Sequence, residues 1–394
     1  MCLSSSTLPL VVVSRKGEDR VRNAHPWIYK SDVVSSGAEP GDLVRVVNER
    51  KRGLGVALWS STSQISLRFM SLEMNVPDER AFFADRLRAA IAYRETLELG
   101  ASAYRISSGE ADRLPALVVD RYGDYVVIQT LCQGMDRRLP MLVELLVEQL
   151  QPRGILARND PKVRALEGLE ERIDVVHGEV PEGIDVQEGA TTFRVNLWHG
   201  QKTGLFLDQR ENHATAARYA RGKALDGFTY NGGFALQMAP RAESVLALDS
   251  SAHAVATTRA NAERNGVTNV EVREANVFDE LRELDIAGER FDTVVLDPPA
   301  FAKNKAAVEK AAAGYKEINL RALKLLAPGG HLITCSCSYN VDEALFLEIV
   351  EQAAADARAT VALVEKRQQA RDHPVLLNVP ETHYLKCLVL RKLP

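Results

Sequence analysis

Cysteine is scarce in this chain. Its five residues, Cys2, Cys132, Cys335, Cys337 and Cys387, form no CxxC pair and no metal-ligand spacing. An odd, scattered set excludes a disulfide framework, so reduced thiols and no bound metal are expected. Long hydrophobic runs are missing too: none reaches the roughly 18 apolar residues that a membrane helix needs. The opening Met1-Cys-Leu-Ser-Ser also lacks the charged start of a signal peptide. A cytoplasmic protein with no membrane partner is therefore expected. The spelling G-x-G-x-x-G is absent as well, which argues against a dinucleotide such as NAD. No internal repeat or low-complexity tract is found.

What is present is ordinary in amount and uneven in distribution. Hydrophobic residues make up 46% and charged residues 26% of 394, a balance that suits a globular protein of two or three domains. Net charge is -4, yet residues 1–72 hold ten Lys/Arg against six Asp/Glu. Base gathered at one end points that end towards phosphates.

In this basic stretch Leu10–Val13, Trp27–Tyr29, Leu43–Val47, Gly55–Trp59 and Ile65–Phe69 are short apolar runs between turns, the spacing of a small β-barrel. Arg15, Lys16, Arg20, Arg22 and Arg50-Lys51-Arg52 can meet phosphates, and Trp27 or Tyr29 can stack on a base. A solvated basic face with core aromatics is the alternative. Phe83, Leu87, Ala90, Ile91 and the stem of Arg94 recur at helical spacing, which predicts an amphipathic linker helix from Asp78 to about Leu99. Beyond it, Leu114–Asp120 and Tyr125–Gln129 read as a hairpin, followed by a helix over Arg138–Leu150 and strands near Gly154–Ala157 and Thr192–Val195.

From Ala224 onward strands and helices alternate, which calls for a parallel sheet covered on both faces. The turn Leu225-Asp-Gly-Phe-Thr-Tyr-Asn-Gly-Gly233 leads from a strand into a helix, and a second strand, Ser244–Asp249, ends in a carboxylate. Such a pair holds a ribose in Rossmann-like folds, with glycine letting a ligand approach the helix start. A later strand stops at Asp297-Pro298-Pro299, and another ends in Ser336-Cys337-Ser338. Loops at strand carboxyl ends converge, so Phe228, Tyr230, Asp249, Asn276, Asp297 and Cys337 are predicted to face one crevice.

This order resembles the class I S-adenosylmethionine-dependent methyltransferases. Asp297-Pro-Pro with Cys337 in Ser-Cys-Ser resembles the pyrimidine-C5 RNA branch, and the likeness extends over essentially the whole chain to the large-subunit (23S) ribosomal RNA cytosine-C5 methyltransferases. His25-Pro-Trp-Ile-Tyr29 and Pro40-Gly-Asp-Leu-Val-Arg-Val46 are similar to the PUA module, an RNA-binding barrel. The resemblance implies three domains: a PUA-like barrel over 1–74, a linker helix with an α+β (EEHEE) insert over 75–200, and a Rossmann-like methyltransferase sheet over 201–394. It also implies S-adenosylmethionine as cofactor, S-adenosylhomocysteine as product, ribosomal RNA as partner and a homodimer.

By the same resemblance Lys202-Thr-Gly-Leu-Phe206-Leu-Asp208-Gln-Arg210 lies against the methionine end of the cofactor. Gly232 and Gly233 admit that portion, with Phe228, Tyr230 and Ser250 beside them. Asp249 takes the ribose hydroxyls, although a helix-cap role is its alternative. Asn276, Val277 and Phe278 border the adenine, and relatives usually carry an acid at the place of Asn276. The chemistry then needs a thiolate to add at C6 of the base, so that C5 can accept the methyl group. Cys337 stands where the related enzymes carry this nucleophile, Cys335 lies a pleat deeper on the same face, and Asp297 suits the N3 and N4 edge of cytosine. Uracil-C5 enzymes read Ser-Cys-Asn-Pro, which this chain lacks, and many carry an iron–sulfur cluster that five scattered cysteines cannot supply. A uracil-C5 enzyme, or a non-catalytic RNA-binding protein that keeps the cofactor fold, is the alternative.

Overall fold

The computed structural model describes residues 8–74, 78–302 and 304–394; the expected free thiol of Cys2 lies outside them. Two compact units are present. The first takes the described residues up to Val186 with Val195–Leu205 and Arg371–Thr382, and the second takes Gln187–Arg194, Phe206–Ala370 and His383–Pro394.

The first unit opens with β1 (Leu10–Val13), α1 (Arg15–Arg22), β2 (Trp27–Tyr29), β3 (Val33–Ser36), β4 (Leu43–Asn48), β5 (Gly53–Trp59) and β6 (Ile65–Ser71). The strands form one sheet in the order β2-β6-β5-β4-β1-β3, and their β-branched residues Val11, Val13, Ile28, Val44 and Val46 share a core. Sequence reading missed α1. Ser14 caps it by accepting the Gly17 amide at 3.3 Å, a signal that a run of charged residues hid. On this helix Lys16 and Arg20 pair with Asp32, and Arg22 with Glu18. Trp27 donates its indole N–H to Glu110 at 2.9 Å, while Tyr29 lies under the Arg20 guanidinium. In the turn after β4, Asn48 Oδ1 accepts the amides of Arg50 and Arg52 at 3.0 and 2.9 Å. That turn leaves Arg50, Lys51 and Arg52 exposed.

The predicted linker helix is α2 (Glu79–Glu95), capped by Asp78, with Phe83, Leu87, Ala90 and Arg94 buried. Arg94 is buried whole rather than by its stem alone: its guanidinium pairs with Asp112 and donates to the Arg105 carbonyl at 3.0 Å. Next come β7 (Ala103–Ser108), β8 (Leu117–Tyr122), β9 (Tyr125–Thr130), α3 (Gln133–Arg137), α4 (Leu139–Leu150), β10 (Gly154–Asn159) and β11 (Arg172–Gly178). Their sheet runs β11-β10-β9-β8-β7. The strand predicted near Thr192–Val195 is not part of it: β12 (Gly183–Glu188) and β13 (Thr191–Asn196) form a separate two-stranded sheet. The place falls to β11, in which the apolar Ile173, Val175 and Val176 stand among polar residues and none of the three is buried. Leu43, Val56, Leu58 and Met70 of the first sheet join Phe83, Leu87, Leu117 and Leu142 in one cluster, so the barrel and the middle sheet share a core.

The second unit contains α5 (Arg210–Tyr219), β14 (Lys223–Gly227), α6 (Gly233–Met238), β15 (Ser244–Asp249), α7 (Ala252–Arg264), β16 (Val270–Glu274), α8 (Val277–Ile286), β17 (Phe291–Leu296), α9 (Val308–Leu325), β18 (Leu326–Ser336), α10 (Glu343–Asp356), β19 (Val361–Gln368) and β20 (Lys386–Lys392). The sheet order is β16-β15-β14-β17-β18-β20-β19. Successive residues of a strand face opposite sides. Leu225, Val294 and Leu332 accordingly pack against α9 and α10, whereas Ala224, Val295 and Ile333 pack against Phe234, Met238 and Val255 on the other face. Strands β16 to β18 are parallel as predicted, but β20 runs antiparallel to both β18 and β19. The order reverses between β14 and β17, and their carboxyl ends open the crevice where open α/β sheets bind ligands. Among the described residues no helix is long and apolar enough to cross a membrane.

Candidate active site

The turn after β14 is built from left-handed residues: Phe228 (φ 69°), Tyr230 (φ 52°) and Gly232 (φ 88°). Only glycine adopts this region freely, and each aromatic there costs about 1–3 kcal/mol, so the surroundings must hold them. They do. Thr229 donates its amide to the Leu248 carbonyl at 2.9 Å and its hydroxyl to Asp226 Oδ2 at 2.6 Å. Thr258 donates to the Tyr230 carbonyl at 2.9 Å, and Asn261 to that of Asn231 at 3.1 Å. Asp249, at the end of β15, accepts the Tyr230 amide on Oδ2 and the Ser251 amide on Oδ1, both at 2.9 Å. The cap of α7 is Ser251, which accepts from Ala254; Ser250 is exposed beside it.

Asp226 is wholly buried. Its Oδ2 also accepts the Ala235 amide at 3.0 Å, while Oδ1 has no hydrogen-bond partner. Burial pushes its carboxyl pKa up to about 7, against the lowering effect of those bonds. The glycines have reasons of their own. A Cβ on Gly233 would stand 2.6 Å from the His213 ring, and one on Gly232 would stand 3.0 Å from Thr258. Protein therefore fills the side-chain space at both. His213 packs edge-on to Phe234 and bonds Glu188 at 2.8 Å. Burial works to lower the His213 pKa, but the Glu188 carboxylate raises it on balance.

The segment predicted to border the cofactor is divided. Lys202 belongs to the first unit, exposed and left-handed (φ 54°). Beside it Thr203 is fastened to Asp120 at 2.6 Å and to Tyr122 at 2.8 Å. In the second unit Phe206 stands edge-on to Tyr230, ring centres 5.1 Å apart. Asp208 and Arg210 are buried, and Asp208 accepts from the Tyr384 hydroxyl at 2.7 Å. Gln209, marked in the sequence by its polarity but given no role there, donates to Asp297 Oδ1 at 2.8 Å and accepts from Asn212 at 2.6 Å. Its polarity within a buried segment was the available signal.

Asp297 extends the ladder between β14 and β17 by donating its amide to Gly227 at 3.3 Å. Asn276 caps α8, its Oδ1 accepting the Phe278 amide at 3.0 Å, and Val277 is buried beneath Gly227. Phe228, Phe278, Phe301 and Tyr315 form a line of rings with centres 6.4, 5.8 and 4.6 Å apart. Ser338 joins the two late loops: its hydroxyl accepts the Ala302 amide at 3.1 Å and bonds Tyr315 at 2.9 Å. Next to it, half-buried Cys337 places Sγ 3.8 Å from the Pro298 carbonyl oxygen. Cys335 is fully buried opposite Cys387 on β20, and burial pushes its thiol pKa up.

Tyr230 thus meets Asp249 and Phe206, Asp297 meets Gln209, and Cys337 meets Pro298. A carboxylate at a strand end and flanking rings can take a ligand carrying vicinal hydroxyls and a planar base. A half-exposed thiol nearby can act as a nucleophile.

A sequence profile described as S-adenosylmethionine-dependent methyltransferase matches residues 167–391, and one described as PUA-like domain matches residues 11–72. The ribosomal RNA large subunit methyltransferase I of Shewanella denitrificans is 40% identical over 388 residues, covering 96% of this chain and 98% of its own. The protein of that name from Tolumonas auensis is 40% identical over 392 residues, covering 97% and 98%. Among solved structures, SMU.776 complexed with SAH aligns at TM-score 0.84 and 20% identity, over 97% of this chain and 99% of that one. An S-adenosylmethionine-dependent methyltransferase from Agrobacterium tumefaciens aligns at 0.53 and 18%, over 74% and 90%. At these identities the structural matches speak for the fold.

Proposed function

Since the chain belongs to the S-adenosylmethionine-dependent methyltransferase family, we propose that it methylates C5 of a cytosine in large-subunit ribosomal RNA through a covalent bond between Cys337 Sγ and C6. S-adenosylmethionine is the cofactor, and when bound it supplies an electrophilic methyl group on a sulfonium. The substrate class follows the names of the relatives, which align over nearly their full length. The observation that carries the mechanism is the meeting of Cys337 with the Asp297-Pro298-Pro299 loop at the crevice.

In this reading Asp249 takes the ribose hydroxyls, and Phe228 and Phe278 border the adenine. The Cys337 thiolate adds to C6, forming a C–S bond and making C5 nucleophilic. Asp297, oriented by Gln209, holds the N3 and N4 edge of the base. After C5 takes the methyl group, loss of the C5 proton expels the thiolate and restores the ring. A base inside a helix must first be flipped out, at a cost of a few kcal/mol, so an unpaired cytosine is the substrate. The setting is the cytoplasm and the assembly a homodimer; light scattering that finds only a monomer would withdraw the latter.

The test is mass spectrometry of nucleosides from unmodified ribosomal RNA incubated with the protein and S-adenosylmethionine. 5-Methylcytosine is expected, and lost with Cys337→Ala. Methylated uracil or adenine would overturn the choice of base.

A further inference from the structure

We propose that Lys386 is the cation that keeps the Cys337 thiol in its ionised, reactive form, a positioning residue whose role rests on the reading of Cys337 given above. Lys386 opens β20 and pairs in register with Ser336, the residue before Cys337. Its side chain is inside: the residue is only 2% exposed. Nζ donates to the carbonyl of Ser338, the residue after Cys337, at 2.7 Å and to that of Tyr384 at 2.9 Å. The ammonium is thereby fastened to the residue after the thiol, while the Lys386 backbone pairs with the residue before it.

Burying an ammonium is costly unless opposite charge or hydrogen bonds compensate. The residues that follow on β20, from Cys387 to Leu390, are buried and apolar, so a hydrocarbon side chain would fill the place at less cost. The retained charge needs a partner. Burial lowers the Lys386 pKa to about 8, and the negative charges that would oppose this are a Cys337 thiolate and Asp342. Asp342 is already engaged as the cap of α10, accepting the Leu345 amide at 2.9 Å. Of the other titratable groups nearby, Asp297 adjoins Pro298, whose carbonyl faces Cys337 Sγ, and its negative charge opposes ionisation of the thiol. Burial raises the pKa of Tyr315, which bonds Ser338, and that of Cys335 on the adjoining strand, so both stay neutral. An ammonium beside a thiol favours the thiolate, the form that attacks carbon.

A purely structural Lys386 would only tie two carbonyls together. The pH profile of Cys337 separates the roles, read on the full chain as the rate of iodoacetamide labelling of the Cys337 peptide by mass spectrometry. In the wild type the midpoint is expected below the ordinary thiol value of about 8.5. Lys386→Arg, which keeps the charge, should stay near it. Lys386→Gln, which keeps donors for the carbonyls but not the charge, should raise the midpoint by about one unit, lowering labelling at pH 7 about ten-fold. An unchanged midpoint in Lys386→Gln overturns the proposal. Should that variant fail to fold, a wild-type midpoint at or above 8.5 overturns it equally. Methyl transfer by Cys337→Ser is followed separately: if it persists, the nucleophile reading fails, while a shifted midpoint in Lys386→Gln still stands.

Discussion

Asp226 and Asp249 end neighbouring strands, and burial gives them different chemistry. The Asp226 pKa is raised from 3.8 to about 7 in the folded protein by desolvation. Between these values the native state holds a proton that the unfolded chain has released, so this group's contribution to stability falls as pH rises from about 4 to about 7. Asp226→Asn keeps an acceptor for Thr229 and Ala235 without the charge. Its melting temperature relative to wild type should be a few degrees higher at pH 8 than at pH 5; the same difference at both would contradict the burial argument. Asp249 uses both oxygens on backbone amides while keeping lone pairs for a ribose. Asp249→Ala should weaken S-adenosylmethionine binding about ten-fold or more, as loss of a charged hydrogen-bond acceptor does, and an unchanged calorimetric dissociation constant would remove the ribose assignment. Asp249 and Asp297 stood out because each closes an apolar run at a strand end, whereas Cys337 was picked out by the family resemblance. The contact of Gln209 with Asp297 was not legible, since the two are distant in the chain, and neither was the reason for Gly233, because the ring over it comes from α5.

At the scale of elements, the approach of α6 to α5 depends on that glycine. A Cβ on Gly233 meets an imidazole held by Phe234 and Glu188, which cannot swing aside as a flexible tail would. Gly233→Ala should destabilise the second unit by about 1–3 kcal/mol, and His213→Ala introduced with it should recover part of the loss. Denaturant titration reads both; a neutral Gly233→Ala would show that the helices give way. Most strands and helices here were readable because each carries its own periodic apolar face. The exceptions are local. Helix α8 had a signal of its own, since Asn276 followed by Asp279 and Glu280 is a cap with acids in the first turn. The antiparallel β20 had a signal as well: only a short 3-10 turn, Pro380–Thr382, and no α-helix separates it from β19, and a parallel neighbour would need a crossover.

For the molecule as a whole, the proposed RNA contact is electrostatic at the basic end. Pairing of Lys16, Arg20 and Arg22 with acids leaves the exposed Arg50-Lys51-Arg52 turn as the better candidate for phosphates. Replacing all three by alanine should weaken RNA binding and make its salt dependence shallower by about two to three units of slope; an unchanged slope would place the contact elsewhere. Three separate domains were expected from the order of motifs. What the sequence could not display is the core cluster that joins Leu58 and Met70 to Phe83 and Leu142, since such packing is not written in any single segment. The central claim is that Cys337 bonds to the cytosine ring, and ribosomal RNA carrying 5-fluorocytidine tests it most directly, because fluorine at C5 cannot leave as a proton does. With S-adenosylmethionine, the wild type should form a denaturant-stable protein–RNA adduct that peptide mapping places on Cys337, absent in Cys337→Ala. Methylation of ordinary RNA without any such adduct, or an adduct on another residue, would contradict the account.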